Sequence, residues 1–187
     1  MEKHLLRTML LAITMLMGVS AWADDWSIDF ASVGAKYADK TGVTISETVA
    51  TINGEALGTC TVESEALNEN FVLQTGTNWL MRQRNGLYQG NGGNRHMAVL
   101  NCTKGQLITI VGTGDPNPTF NATLRSSDGK SYTYEVSDDG GVLFKPARYL
   151  YFSSVSVATP AAGSVNYTVK YVDQNGDGEI DQENDRV

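Results

Sequence analysis

The sequence predicts an all-β fold, a two-sheet antiparallel β-sandwich of jelly-roll type. Three observations carry this. Between residues 26 and 158 the chain is a succession of short runs rich in β-branched and aromatic residues. Turn signals cut the runs apart at Asn53-Gly54, Asn85-Gly86, Lys104-Gly105, Asp128-Gly129 and Asp139-Gly140-Gly141. Several runs also alternate with the period of two that a half-buried strand requires. Many short strands with this punctuation predict a sandwich or barrel rather than alternating βαβ units.

Taken in order, the first strands fall at 26–30, 43–52, 59–62, 71–74, 79–83 and 97–102. A second series follows at 107–111, 120–126, 132–137, 142–145 and 149–157. Phe120, Ala122 and Leu124 alternate with Asn121, Thr123 and Arg125, which places the first three on one face. Tyr132, Tyr134 and Val136 alternate in the same way with Ser131, Thr133 and Glu135. The 107–111 run is almost wholly apolar or β-branched, the pattern of a central strand buried on both faces. Ser127-Asp128-Gly129-Lys130 reads as a hairpin turn, and only residues 31–40 leave room for a helix, a short one. The number of strands over residues 24–158 suits two packed sheets in a jelly roll.

Both ends read differently from this body. The chain has 187 residues, 41% of them hydrophobic, and a formal charge of −7, which suits one ordinary globular domain. Residues 1–23 combine a basic start (Lys3, Arg7), an apolar stretch over 10–19 and an Ala21-Trp22-Ala23 cleavage pattern, the features of a secretory signal peptide. That apolar stretch falls short of the ~20 residues a bilayer span needs. The expected mature protein is therefore secreted or held at the cell surface, without insertion into a membrane. Its acidity argues against nucleic acid, whose phosphates call for a basic surface.

The mature chain holds Cys60 and Cys102. In an oxidising destination a single Cys60–Cys102 disulfide is the first expectation, and two buried free thiols are the alternative. Catalytic patterns are scarce. One mature histidine, His96, excludes two-histidine metal sites, and there is no G-x-S-x-G elbow, H-E-x-x-H helix or phosphate-cradling glycine loop. Glu47, Glu55, Glu63, Glu65 and Glu69 supply carboxylates, but a glycosidase needs two of them facing each other across a bond. A charge run of this kind reads as solvated strand edges, so the expectation is a protein without catalytic activity.

The segment richest in recognition chemistry is 79–96. Its aromatics are Trp79 and Tyr88, its guanidinium groups Arg82, Arg84 and Arg95, and its carboxamides include Gln83, Gln89, Asn91 and Asn94. Aromatic faces cover the apolar face of a pyranose, while planar amide and guanidinium groups bridge neighbouring hydroxyls. Trp79, Arg82, Arg84, Tyr88, Asn94 and Arg95 are therefore the candidate glycan contacts. The same residues also fit a packed Trp79, a solvated arginine face and a glycine-rich turn.

Trp79…Arg82…Gly86-Leu87-Tyr88, Gly92-Gly93-Asn94-Arg95, Ala98-Val99-Leu100-Asn101-Cys102, Lys104-Gly105-Gln106 and 147–152 resemble a secreted bacterial β-sandwich module. Such modules, similar to jelly-roll carbohydrate-binding modules, accompany polysaccharide-degrading enzymes. The resemblance implies a bacterial accessory domain that binds polysaccharide and, in longer relatives, is covalently linked to a catalytic domain. The alternatives are a structural spacer or adhesion module with no sugar ligand, or a fragment of a polysaccharide lyase or hydrolase.

Residues 159–164 have linker character, and 165–187 begin as a strand and end in an acidic stretch. Asp173, Asn175, Asp177, Glu179, Asp181 and Asn184 occupy positions 1, 3, 5, 7, 9 and 12 of an EF-hand-type or dockerin-type Ca²⁺ loop, with Gly178 at position 6. Asn184 departs from the pattern, which has a bidentate carboxylate there. The segment also resembles the opening strand of a mucin-binding-like repeat.

Overall fold

The computed structural model describes residues 25–89, 95–147 and 149–160. The expected signal peptide, Asn94, most of the 159–164 linker and all six Ca²⁺-loop residues lie outside them.

The described chain is an antiparallel β-sandwich with one short helix. Its elements are β1 (Trp26–Asp29), α1 (Phe30–Ala35), β2 (Thr41–Ile45), β3 (Ala50–Ile52), β4 (Glu55–Val62) and β5 (Glu65–Ala66). Then come β6 (Phe71–Gln74), β7 (Trp79–Arg82), β8 (Gly86–Gln89), β9 (Met97–Cys102) and β10 (Leu107–Gly112). The last are β11 (Pro118–Phe120), β12 (Ala122–Ser127), β13 (Ser131–Val136), β14 (Gly140–Phe144) and β15 (Tyr151–Ala158).

One path of hydrogen-bonded strands, β11-β14-β9-β6-β4-β2-β7-β8-β15-β10-β13-β12, makes both layers. The eight-residue β4 belongs to both: its first half pairs with β3 and β6, its second with β2 and β5. The path therefore rolls over at β4. Its two ends, β11 and β12, are consecutive in the chain and meet at Asn121.

Burial explains the roll. Phe30, Phe71, Trp79, Leu87, Ile108, Tyr134, Phe144 and Phe152 from both layers form one core. Phe30 lies against Phe71 at 5.2 Å between ring centroids, and Tyr134 meets Phe144 edge-on at 5.2 Å. Helix α1 starts where Asp29 accepts from the Ser32 amide (2.9 Å) and hydroxyl (2.6 Å), a side-chain cap that also holds the Asp29 carboxyl below its usual range.

Several elements differ from the sequence expectation. The 43–52 run is two strands, because polar Ser46, Glu47 and Thr48 interrupt it. The 120–126 run is also two strands: Asn121 adopts φ 65°, and the chain changes layers there. Phe120 thus lies opposite Leu143 on the second layer, and not on one face with Ala122 and Leu124. Strand β10 alternates half-buried and buried residues, the pattern of a strand buried on one face; buried on both faces instead are Phe71–Leu73 of β6 and Val142–Phe144 of β14. The helix ends at Ala35, and β8 occupies residues read as turn and loop.

The disulfide is corrected: both cysteines are free and buried. β6 lies between the strands that carry them, and Cys102 is three residues past Val99, the partner of Phe71. A disulfide needs Cα atoms within about 7 Å, little more than one strand spacing. Burial pushes each thiol up to about 12, so both stay protonated as small apolar side chains.

Candidate functional site

Register across four strands builds the site. Gly42 of β2 lies opposite Leu80 of β7, Leu80 opposite Tyr88 of β8, and Tyr88 opposite Tyr151 of β15. Alternation along each strand sends the neighbours of these residues inward: Trp79, Met81, Leu87 and Phe152 are in the core. Leu80, Tyr88 and Tyr151 therefore stand together, half-buried, on the outer face. With strands ~4.8 Å apart, the row from Gly42 to Tyr151 spans about 14 Å, enough for more than one pyranose ring. At Gly42 the row is open, since nothing lies within 4 Å of where a Cβ would be.

The two tyrosines stack, with centroids 4.6 Å apart and planes at 24°. Arg82, two residues beyond Leu80 on the same face, brings its guanidinium carbon to 5.6 Å from the Tyr88 centroid and 6.0 Å from that of Tyr151. Asp39, in the turn before β2, accepts from Arg82 Nε at 2.8 Å and from the Gln83 amide at 3.2 Å. The Arg82 hydrogen bond holds the Asp39 carboxyl below its usual range. Asp39, Arg82, Gln83, Arg84 and Asn85 line a recess of about 400 Å³ beside the ring pair. Apolar ledge, planar cation, carboxylate and carboxamides thus sit side by side, an arrangement suited to hydroxyl-rich rings.

The expected contacts divide. Arg82, Arg84 and Tyr88 come together in this ledge and recess. Trp79 is corrected: only 1% exposed, it packs against Phe152 with centroids 6.5 Å apart and donates to the Thr77 hydroxyl at 3.1 Å. No ligand reaches a ring so placed. Arg95 donates to the Asn78 carbonyl. The sequence reading missed Tyr151 and Asp39. Tyr151 was legible as the outward neighbour of an inward Phe152, whereas Asp39, nearly 50 residues from Tyr88, gave no local signal.

Next to Trp79, across the β7–β8 pair, Gln89 is fully buried, and its carboxamide nitrogen and oxygen find no partner among the described residues. His96 is buried too. Its Nδ1 lies 3.3 Å from Gln74 Oε1 and 3.4 Å from Glu55 Oε2, and desolvation lowers its pKa. Gln74 also donates to Glu55 at 2.6 Å, so these groups knit β4, β6 and the start of β9 together. Glu65 is engaged by Lys36 (2.9 Å) and Tyr37 (2.5 Å). Among the described residues no cluster of three or more His, Cys, Asp or Glu could hold a metal, and no helix is long and apolar enough to cross a membrane.

No family model matches the chain, and no curated protein matches it. A solved structure reported under the words "The complexity of the Ruminococcus flavefaciens cellulosome reflects an expansion in glycan recognition" aligns with 73% of this chain and 95% of its own, at 14% identity and a TM-score of 0.33. A likeness of that degree says nothing about a ligand here.

Proposed function

We propose that this protein is a secreted, non-catalytic module that binds polysaccharide and brings an associated activity to it. The observation that carries the reading is the half-buried Tyr88–Tyr151 stack, capped by the Arg82 guanidinium and bordered by the Asp39–Arg84 recess. Flat aromatic surface takes the C–H face of a sugar, and the recess supplies donors and acceptors for its hydroxyls. The signal-peptide pattern of residues 1–23 supports an extracellular destination. The acidic tail carries a separate proposal, a Ca²⁺ site at Asp173, Asn175, Asp177, Glu179, Asp181 and Asn184 that calorimetric titration would test.

The deciding experiment is affinity electrophoresis of the full chain through gels containing neutral and acidic polysaccharides. Retardation by at least one polysaccharide, weakened by Tyr151→Ala, is expected. Unchanged migration in every gel would leave the spacer or adhesion reading in its place.

A further inference from the structure

The layer change at Asn121 creates a second concavity, four strands away from β8 along the path. It is a cleft of about 600 Å³ bounded by Ile52 and Asn53 at the end of β3, by Phe120 and Asn121, and by the turn through Asp138 and Asp139. We propose that this cleft is a separate saccharide site, selective for a pyranoside without acidic groups. It uses none of the ledge residues.

Phe120 is the reason a sugar fits. It ends the lateral row Val72–Ala98–Leu143–Phe120 on the outer face of the second layer. Val72, Ala98 and Leu143 are buried in a small cluster with Ile52 and Leu57, yet Phe120 at the end of the row stays 46% exposed. The ring is the aromatic wall of the cleft. Ile52 reaches in from the facing hairpin and fills the place beside Gly141: a Cβ on Gly141 would come within 2.4 Å of Ile52 Cδ1. One wall is thus aromatic and the floor aliphatic, as the apolar face of a pyranose requires.

The polar side is held in position before any ligand arrives. Asn121 Nδ2 donates to the Asp138 carbonyl (2.7 Å) and the Gly141 carbonyl (3.2 Å), while its Oδ1 accepts from the Asp138 amide (2.9 Å). The Asn121 carboxamide is therefore committed to scaffolding. Asp138 Oδ1 meets Lys104 Nζ at 3.2 Å, and Asp139 Oδ1 accepts from the Lys104 amide at 2.7 Å. Among the described residues the second oxygen of each carboxylate has no partner and can accept a hydroxyl proton. Lys104 pairs with Asp138 from outside the cleft, but no basic side chain lines the cleft itself, so a uronate or sulfated sugar meets the Asp139 carboxylate without a cation to receive it. The recess beside Arg82 and Arg84 has the opposite character, and a chain with both sites holds two glycan strands, one at the middle of its sheet path and one where the ends of the path meet.

The test is titration of the full chain with β-1,4-linked glucose, mannose and xylose hexamers and with an oligogalacturonide, followed by backbone amide chemical shifts and calorimetry. At least one neutral hexamer should shift the amides of Asn53, Phe120 and Asp138. Phe120→Ala should weaken that response at least tenfold, whereas Tyr151→Ala should leave it unchanged. The exposure of Phe120 makes its loss tolerable to the fold, which circular dichroism would confirm. Absence of shifts in the cleft with all three hexamers, tighter response of the cleft to the oligogalacturonide, or loss of the response in Tyr151→Ala would each overturn the proposal. Shifts confined to the Tyr88–Tyr151 ledge would overturn it while sparing the reading of the ledge. Shifts confined to the cleft would do the reverse.

Discussion

Tyr88 and Tyr151 stand directly opposite each other on β8 and β15, and their rings stack at 4.6 Å. They are 63 residues apart in the chain, so only sheet pairing brings them together. Replacing either with Ala removes a stacked pair worth ~0.5–1.5 kcal/mol beyond its buried area. We expect a modest fall in thermal stability and at least a tenfold loss of polysaccharide affinity, measured by calorimetry. Trp79→Phe should leave that affinity intact, because its ring is in the core; an equal loss there would refute the division between core and ledge.

Asp39 makes the ledge sensitive to acid. Its carboxyl is held below the usual range first by the Arg82 hydrogen bond. A depressed carboxyl contributes above its ordinary pKa, and the contribution is lost as pH falls through the lowered value. Glycan affinity should accordingly be flat at neutral pH and decline on acidification below the ordinary carboxylate range. In Asp39→Asn that acid decline should disappear, and a decline of equal size in the variant would show that another group is responsible.

The buried Gln89 carboxamide has no hydrogen-bond partner among the described residues. A buried carboxamide without partners costs ~1–3 kcal/mol relative to a satisfied one. Gln89→Met, similar in length and apolar, should raise the melting temperature by several degrees. A lower melting temperature would mean that Gln89 finds a partner in the folded protein.

Cys60 and Cys102 should behave as protected thiols. Burial pushes both up to about 12, which leaves little thiolate to react at pH 8. Thiol titration should find two reactive groups after denaturation and almost none before it. Addition of a reductant should leave the melting curve unmoved, and a downward shift would reveal a disulfide.

Gly112 allows β10 to approach β15 beneath the ledge. A Cβ at this position would sit 2.1 Å from the Tyr151 carbonyl oxygen, which cannot move without carrying Tyr151 with it. Gly112→Ala should destabilise by roughly 1–3 kcal/mol in chemical denaturation and weaken polysaccharide binding at the ledge. Full retention of both would show that the two strands separate freely.

Local pattern was enough for the fold class. The runs 71–74 and 97–102 coincide with β6 and β9, and Asp128 caps the β12–β13 hairpin by accepting from the Lys130 and Ser131 amides. Such features depend on residues a few places apart, which is where turn chemistry and strand alternation act. Phe120 shows where that reach ends. Its alternation with Ala122 was plain, yet Asn121 at φ 65° turns the chain into the other layer and leaves the ring 46% exposed at the cleft.

The sequence by itself determined a β-sandwich, its turns and an aromatic and guanidinium-rich segment around residues 79–88. Tertiary structure alone decided that Trp79 belongs to the core, that Tyr151 and Asp39 complete the ledge, and that the two cysteines stay apart. The physical reason is that strand alternation says which residues share a face, while the pairing of distant strands decides which face is covered and who stands opposite.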